Sequence, residues 1–492
     1  MEEKEVLEKE FRELVDRGEW SKAISIGKTL IRMDPKNSEY RYKLGLALLN
    51  IGNVEEAKRE IEKAVFIDPY YVEARNLLGE ILFKLGRVEE ALREFKKAVE
   101  LNPNFDRAWW NMGYVYDEIG RLDEAVNCYR KVIKVNPYNA DAYNDLAVVF
   151  LKQGLIDEAM EKLEEAVKVN PNHYGAKVNL ALLCMERGFY SRAIDIWKEV
   201  IKLNPQDVNA YIFLGDSYAS KELWVKALMS WRKAAEIFPE RGDIHLKMAW
   251  AYAKEDAWEM VLQEAEKALK LGIENGEVYY LIGGHYYRVG DYDKAIEFLE
   301  KAKSKEFKSR DLYYLLGKSY MFVERFKNAT NVFEDAIKGG FSDREISLLL
   351  SMSYIKIGEP GKALAILEEL SHKEPRNVDI LRQLAKLYHR QGRFEDAVSC
   401  WRNILDIDPE DKEALEAIDK ISRQEISISK ADLKFKPEHV EAHRLLARGY
   451  MRRGMFREAE VEWLKVLKVY PTDEEAHKAL EEIEGKVGRN AS

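Results

Sequence analysis

The apolar residues of this chain recur at helical spacing, and the helical segments themselves recur every 34 residues. The segment LGEILFKLGRVEEALREFKKAVELNP, residues 78–103, places apolar residues three or four positions apart, as in a helix with one buried face. Gly86 interrupts this segment and Pro103 ends it. The pattern predicts pairs of amphipathic helices, each pair closed by a turn, along nearly the whole chain.

Prolines set the register of these pairs. They follow one another at 34-residue intervals from Pro35 to Pro239, and the same interval separates Pro375 from Pro409 and Pro437 from Pro471. When each unit is numbered so that this proline is position 32, glycine is common at positions 8 and 15 and alanine at position 20. Small residues at positions 8 and 20 let two helices cross closely, and glycine at position 15 ends the first helix in the left-handed conformation.

Three consecutive units depart from this register. Ile273, Phe307 and Phe341 stand where the turn proline is expected, and Val261 replaces the alanine of position 20. One interpretation is drift in a tolerant turn. The other is a local change of pitch, or an aromatic contact at the turns, and the sequence does not choose between them.

The unit AWWNMGYVYDEIGRLDEAVNCYRKVIKVNP, residues 108–137, resembles the tetratricopeptide repeat family. The positions that carry the resemblance are Trp109, Gly113, Tyr116, Gly120, Ala125, Tyr129 and Pro137. The resemblance implies an all-α fold, an α-solenoid of about thirteen helix–turn–helix repeats wound into a right-handed superhelix. A single repeat cannot bury its own apolar face, so stacked repeats share one continuous core.

Five segments follow from the register. Residues 1–411 hold twelve repeats, residues 412–424 read as a capping helix, and residues 440–473 form a thirteenth repeat followed by a capping helix and frayed tail over 474–492. Between them, residues 425–439 form a truncated repeat, because Pro437 follows Pro409 by only 28 residues. The alternation in ISIS, residues 426–429, predicts an extended piece that acts as a hinge, a passive connector or an added strand.

Composition and motifs argue against catalysis and against a nucleic-acid partner. The net charge is −9, the three cysteines lie far apart, and no phosphate-binding loop, HExxH or GxSxG motif is present. His439 and His443 share a helical face without a third ligand, so we predict no metal, no cofactor and no enzyme. The charged N-terminus and the lack of long apolar runs predict no signal peptide and no membrane span, and the isolated cysteines favour a reducing cytoplasm.

The family resemblance places positions 2, 5, 9, 12 and 13 of each first helix on the concave surface. Several large apolar side chains fall there, and we expect about half of the apolar residues at these positions to serve packing between repeats instead. Exposed aromatic residues often dominate binding energy, so the remainder predicts a groove for an extended peptide or an amphipathic helix. The candidates are Tyr42, Phe83, Trp110, Tyr114, Met185, Trp250, Tyr280, Tyr287, Tyr314 and Met352.

The last two repeats carry cations at the same positions. Residues four apart share a helical face, so each repeat would present a short ladder of positive charge suited to an acidic segment. Solvated surface is the other interpretation of this pattern. The residues are Arg382, Lys386, Arg390, Arg444, Arg448 and Arg452.

These features predict a protein–protein interaction scaffold or assembly adaptor. It would bind partner segments in its groove and an acidic segment at its basic C-terminal end. Two alternatives stay open. One is the substrate-recognition subunit of a multiprotein enzyme or regulator, for example a transferase or a secretion or assembly complex. The other is a co-chaperone that binds an acidic C-terminal tail, although the paired asparagines of that family pattern are absent.

Overall fold

The computed structural model describes residues 2–436 and 438–489, and within them all regular structure is helical. Twenty-eight helices follow one another along this part of the chain, and none of them is both long and apolar enough to cross a membrane. Their bounds are α1 Glu2–Asp16, α2 Trp20–Met33, α3 Ser38–Asn50, α4 Val54–Ile67, α5 Val72–Lys84, α6 Val88–Leu101, α7 Asp106–Glu118, α8 Leu122–Val135, α9 Ala140–Lys152, α10 Ile156–Val169, α11 Tyr174–Glu186, α12 Tyr190–Leu203, α13 Val208–Ala219, α14 Trp224–Ile237, α15 Gly242–Lys254, α16 Trp258–Lys270, α17 Gly276–Val289, α18 Tyr292–Ser304, α19 Arg310–Phe322, α20 Phe326–Lys338, α21 Arg344–Lys356, α22 Pro360–Lys373, α23 Val378–Arg390, α24 Phe394–Leu405, α25 Lys412–Phe435, α26 Val440–Arg452, α27 Phe456–Val469 and α28 Glu474–Arg489.

The all-α solenoid predicted from the repeat is confirmed. Helices α1–α24 form twelve pairs, and each helix packs chiefly on its neighbours along the chain. The described chain divides into two compact units, one ending at Glu255 and the other beginning at Asp256. In each unit the buried side chains of successive repeats join into apolar clusters that extend from one repeat to the next. Stacking thus replaces the central core of a globular domain.

The glycines of position 8 lie where the two helices of a repeat cross. A Cβ added at Gly215 would lie 2.3 Å from Nε1 of Trp231, and one at Gly317 would lie 2.3 Å from the ring of Phe333. Both rings are almost fully buried and have no space to withdraw. Side-chain volume at this position is therefore excluded by the ring that fills the crossing.

The turns of the three aberrant repeats use a different helix ending. The residue before each missing proline, Gly272, Glu306 or Gly340, adopts the left-handed conformation, with φ between 60° and 87°. The amide of the following residue then donates to a carbonyl five residues back, as from Phe307 to Ala302 at 3.2 Å. This is the Schellman ending, in which an apolar residue follows the left-handed one.

Aromatic contacts accompany these endings. The ring centroid of Phe307 lies 5.0 Å from that of Tyr280, and the centroid of Phe341 lies 5.6 Å from that of Tyr313. A Cβ added at Gly276 would lie 2.4 Å from the Cβ of Phe307, so the turn also packs tightly on the next helix. The aromatic contact that the sequence left open is thus present at Phe307 and Phe341, whereas the third turn holds the aliphatic Ile273.

The extended conformation predicted within residues 425–439 is wrong, because α25 runs as one helix of 24 residues to Phe435. No glycine or proline stands between Lys412 and Lys436 to stop it. Ile421, Ser422, Glu425, Ile426 and Ser429 are buried, and this spacing follows one face of a helix. The short alternation in ISIS lies within that longer helical pattern.

The capping role predicted for residues 412–424 also differs from the packing found. Helix α25 packs on α24 and on α26, so the array of helices continues past Asp411. A Cβ added at Gly449 of α26 would lie 2.7 Å from Cγ1 of Ile426. Pro437 lies outside the described residues, as do residues 490–492 of the capping helix and frayed tail predicted over 474–492. Bending at residues 425–439 stays a prediction.

Candidate functional site

The first helices of neighbouring repeats lie on the inner side of a curve in each compact unit. Helix α3 approaches α5, α5 approaches α7 and α9 approaches α11 in the first unit, and α17, α19 and α21 do so in the second. Second helices of neighbouring repeats make no comparable approach within the described residues. The surface formed by the first helices, called the inner face below, is therefore the concave one in each unit.

Three aromatic rings from consecutive repeats meet on the inner face of the first unit. The Trp110 and Tyr114 rings of α7 stack nearly parallel, with centroids 5.9 Å apart and planes 8° apart. The ring of Phe83 on α5 meets Tyr114 edge to face at 5.9 Å. Tyr114 keeps 41% of its surface exposed although it contacts both rings. Phe83, Trp110 and Tyr114 are called the inner aromatic patch.

A polar contact orients the tryptophan of this patch. Nε1 of Trp110 donates to Oδ2 of Asp145 on α9 at 2.9 Å. Burial raises the pKa of the Asp145 carboxyl, against the hydrogen bonds that it accepts from Asn144 and Trp110. Beside the indole is an open cleft of about 350 Å³ lined by Asp106, Arg107, Trp110, Asn139, Asp141 and Asp145. The indole is thus held with one edge bonded and its surroundings accessible.

The other predicted groove residues of the first unit take part in packing. Tyr42 is half-buried, with its ring centroid 5.1 Å from that of Tyr71. The sulfur of Met185, also half-buried, accepts a hydrogen bond from Nε1 of Trp197 at 3.2 Å. Trp250 is half-buried on α15. Tyr42 and Met185 are therefore partly engaged in contacts within the chain.

A second group of rings lies on the inner face of the second unit. The rings of Tyr292 and Phe322 stack at 4.4 Å, and Tyr287 contacts both. Nζ of Lys318 donates to the hydroxyl of Tyr314 at 3.0 Å and lies over its ring. Among the residues that the sequence did not single out is Tyr292. Tyr292 begins α18, the second helix of its repeat. In the sequence only its aromatic character, directly after Gly290 and Asp291, could have pointed to it.

Tyr280 and Met352, the other two predictions in this unit, have different surroundings. Burial raises the pKa of Tyr280 to about 12, and its ring packs on Phe307. Met352 on α21 keeps 39% of its surface exposed and lines a small cavity between α21 and α23. Met352 is therefore open to a ligand, whereas the ring of Tyr280 packs against the turn that precedes α19.

Most of the predicted basic ladder is neutralised within the chain. Arg382 lies 2.7 Å from Asp411 and 2.8 Å from Glu413, and Lys386 lies 2.7 Å from the same Glu413. In the last repeat Arg444 contacts Asp473, and Arg448 lies 2.6 Å from Glu475. The partners are 27 to 31 residues away in sequence, at the N-terminal ends of α25 and α28, two helices further along the chain, so the ladder alone could not reveal them.

Arg452 is the most enclosed of these cations. Its guanidinium contacts the carboxylates of Glu425 on α25 and Glu395 on α24. The Glu425 side chain has no exposed surface and that of Arg452 keeps 5%. Arg390 is exposed, and no ion pair to it is found within the described residues. The six predicted cations therefore divide into five with internal carboxylate partners and one without.

The two histidines considered as metal ligands have carboxylate partners instead. Nδ1 of His443 lies 2.5 Å from Glu462, and Nδ1 of His439 contacts Asp432. Across residues 2–436 and 438–489 no group of three or more His, Cys, Asp or Glu side chains is arranged to hold a metal ion. The three cysteines are buried, and burial raises the pKa of Cys400 to about 11.

Family models match most of the chain in segments. A TPR repeat model matches residues 79–120 and 118–154, and tetratricopeptide repeat models match residues 150–215, 276–304, 311–338 and 354–421. The model of anaphase-promoting complex, cyclosome, subunit 3 matches residues 16–98. A search of curated proteins found no match.

Several solved structures are similar to parts of this chain. The crystal structure of MamA is 28% identical, with a TM-score of 0.31, and the match covers 33% of this chain and 94% of that one. YrrB, described as a TPR protein with an unusual peptide-binding site, is 26% identical over 36% of this chain and 92% of its own, with a TM-score of 0.33. The Cut9–Hcn1 hetero-tetramer of the APC/C matches 85% of this chain and 96% of its own at 13% identity, with a TM-score of 0.36. The repeat register, the helix pairs and the family models together establish that this chain belongs to the tetratricopeptide repeat family.

Proposed function

We propose that this protein is a non-catalytic interaction scaffold that binds a segment of another protein on the inner face of its first unit. The observation that carries this proposal is the inner aromatic patch. Phe83, Trp110 and Tyr114 come from adjacent repeats, contact one another and still leave Tyr114 41% exposed. Large rigid rings that stay accessible on a concave surface are favoured anchors for a partner side chain.

The fit of an extended peptide or an amphipathic helix follows from the shape of this face. Neighbouring first helices run side by side, so their side chains form a channel that a single segment can follow across several repeats. The cleft beside Trp110 adds acidic and amide groups next to the rings. Anchoring by the rings and polar contacts along the channel together support protein recognition. The peptide-binding site described for YrrB agrees with this use of the fold.

A photo-crosslinking experiment tests the proposal. We replace Tyr114 with the photoreactive residue p-benzoylphenylalanine in the full chain and identify crosslinked peptides by mass spectrometry after irradiation in cells of the source organism. Tyr138, a tyrosine that is 85% exposed in the turn between α8 and α9, carries the same probe as the matched control. We expect position 114 to crosslink a defined segment of a partner and position 138 not to do so.

A second variant separates recognition from chance proximity. Trp110→Ala removes one anchor of the patch, and anchors of this kind typically contribute about 2 kcal/mol or more to binding. We therefore expect the crosslink at position 114 to fall at least about tenfold in the Trp110→Ala protein. Equal crosslinking at positions 114 and 138, or a yield that Trp110→Ala leaves unchanged, would refute the proposal.

A further inference from the structure

Three cations on the inner face of the second unit have no carboxylate partner within the described residues. They are Lys318 on α19, Lys356 on α21 and Arg390 on α23, one from each of three consecutive first helices. Lys318 donates to the Tyr314 hydroxyl, and Lys356 lies over the ring of Phe326 with Nζ 5.5 Å from the centroid. Neither contact neutralises the charge. The neighbouring Arg310 and Arg382, by contrast, are each paired with two or more carboxylates.

An apolar cavity lies between two of these cations. It has a volume of about 140 Å³ and opens between α21 and α23. Met352, Ile355 and Leu387 supply apolar surface, and Lys356, Lys386, Arg390 and Gln383 supply the polar groups around it. Since a water molecule occupies about 30 Å³ of the liquid, this space suits one apolar side chain rather than a whole helix.

The one internal ion pair in this cavity is of a kind that exchanges readily. Nζ of Lys386 lies 2.7 Å from Glu413, but the two side chains are 45% and 47% exposed. Pairs this exposed contribute little to stability, because water and salt screen them. A ligand carboxylate can replace Glu413 at Lys386 at small cost. The cavity therefore presents Lys356, Lys386 and Arg390 to a ligand around an apolar centre.

We propose that this cavity binds an acidic peptide segment that carries one apolar anchor residue. The anchor side chain enters between Met352 and Leu387, and flanking carboxylates pair with Lys356, Lys386 and Arg390. This inference rests on the proposed scaffold function and names the ligand class of the second unit. The chain as a whole has a net charge of −9, which disfavours an acidic ligand except where cations are concentrated.

The apolar centre favours a peptide over a nucleic acid. A nucleic acid needs phosphate contacts and a flat platform on which bases stack, whereas the apolar lining of this cavity is Met352, Ile355 and Leu387, with no aromatic ring among its lining residues. A peptide offers carboxylates and an aliphatic anchor within a few residues of each other. Of the cations predicted at this end of the chain, Lys386 and Arg390 line this cavity, whereas Arg382 and the cations of the last repeat are paired internally.

Fluorescence anisotropy with defined probes tests this proposal. The probe is a fluorescein-labelled peptide of twelve residues built from Glu, Ser and Gly with one central Leu. The control peptides have Gln in place of every Glu, or Ser in place of the Leu. We expect the full chain to bind the first peptide at low salt, to bind both controls at least about tenfold more weakly, and to lose affinity as salt rises.

The variant that reports on the site is Lys356→Glu/Arg390→Glu. Its matched control is Lys327→Glu/Arg376→Glu, which changes the net charge equally at two exposed cations outside the cavity. We expect the first variant to bind the acidic peptide at least about tenfold more weakly than the control variant. Circular dichroism verifies that both variants keep their helices.

Three results would overturn the proposal. They are equal binding by the two variants, equal binding of the Glu and Gln peptides, and tighter competition by a twelve-nucleotide poly(dT) than by the acidic peptide. The crosslinking test at Tyr114 uses a different unit of the chain. If the acidic peptide does not bind as expected while crosslinking at Tyr114 succeeds, only the ligand class proposed for the second unit is refuted. If only the crosslinking at Tyr114 fails, the proposed binding of a partner by the first unit is refuted.

Discussion

One backbone position in each repeat has the left-handed conformation, which favours glycine over other residues. At position 15 the chain adopts φ between 70° and 83° in the ten repeats that carry glycine there. Three repeats instead hold Glu222, Asp256 and Glu324, with φ of 57° or 58°. A side chain in this conformation crowds the following carbonyl, so these residues are strained where glycine is not.

Replacing Glu222 or Glu324 by glycine should stabilise the protein. Neither residue has an ion pair among the described residues, so the substitution removes strain, which costs on the order of 1 kcal/mol, without removing a salt bridge. Greater flexibility of the unfolded chain offsets part of this gain. We expect a higher midpoint of thermal unfolding for each variant, measured by calorimetry.

The reverse substitution serves as the control. Gly392 has φ of 76° and no heavy atom within 4 Å of an added Cβ, so Gly392→Ala introduces backbone strain without a steric clash, and the stiffer unfolded chain offsets part of that strain. It should lower the midpoint while the two glycine variants raise it. The same direction of change in all three variants would contradict the argument from strain.

At the scale of elements, α25 joins the last repeat to the array through buried polar groups. Glu425 of α25, Arg452 of α26 and Glu395 of α24 form one ion-pair group, and Glu425 is fully buried. Burial raises the pKa of the Glu425 carboxyl, against the opposing effect of Arg452. Breaking a buried pair by removing one partner leaves an uncompensated charge, which is strongly unfavourable.

Arg452→Met should destabilise α25 and α26 by about 3–5 kcal/mol, the usual cost of leaving a buried charge unpaired. Arg453→Met, at the residue that follows the last residue of α26, is the matched control. Arg453 lies 3.3 Å from Asp419 in a partly exposed pair, so its loss should cost about 1 kcal/mol or less. Calorimetry of both variants measures the difference, and equal losses would show that the buried pair has no special role.

The loss of stability caused by Arg452→Met should also depend on pH, because Glu425 then has no cation at contact distance. An acid with a raised pKa in the folded state binds more protons there than when unfolded. The stability that protonation of this acid contributes is fully present below the ordinary Glu pKa of about 4.3. It is lost as pH rises through the pKa of the acid in the folded state. The variant should therefore be closer to wild type at pH 5 than at pH 8, and adding Glu425→Gln should flatten this dependence.

At the scale of each compact unit, helices contact the next helix or the one after it. The apolar clusters follow the same order along the chain, so each repeat is stabilised chiefly by its two neighbours. Repeat proteins of this kind unfold as coupled local segments rather than as one cooperative body. A substitution in one repeat should therefore affect a limited length of the chain.

Gly317→Ala tests how far such an effect extends. Its Cβ would lie 2.3 Å from the buried ring of Phe333, and overpacking of this kind costs typically about 1–3 kcal/mol. Hydrogen exchange should accelerate in α18–α21 and stay unchanged in α26 and α27. Gly361→Ala, which meets no heavy atom within 4 Å, is the control and should accelerate exchange nowhere. Acceleration throughout the second unit would refute nearest-neighbour stabilisation.

The pattern of residues was sufficient to predict the repeat, its period, the helix pairs and the small residues where the helices cross. Each of these depends on conformation or packing within one 34-residue unit, and such local constraints leave a visible mark in the sequence. The same reason explains why Tyr114 and Met352 could be placed on the inner face. The family resemblance assigns their repeat position to that face, and contact of either residue with a partner stays a prediction.

Contacts between distant residues decided the rest. The helix through ISIS depends on burial of Ile426 against Gly449, and the neutralisation of Arg452 depends on Glu395, 57 residues away. Half-buried Tyr42 and exposed Tyr114 look alike in the repeat, and only the rings packed around them separate the two. A repeat pattern specifies which residues face a neighbour, whereas stacking determines which charges and rings remain available to a ligand.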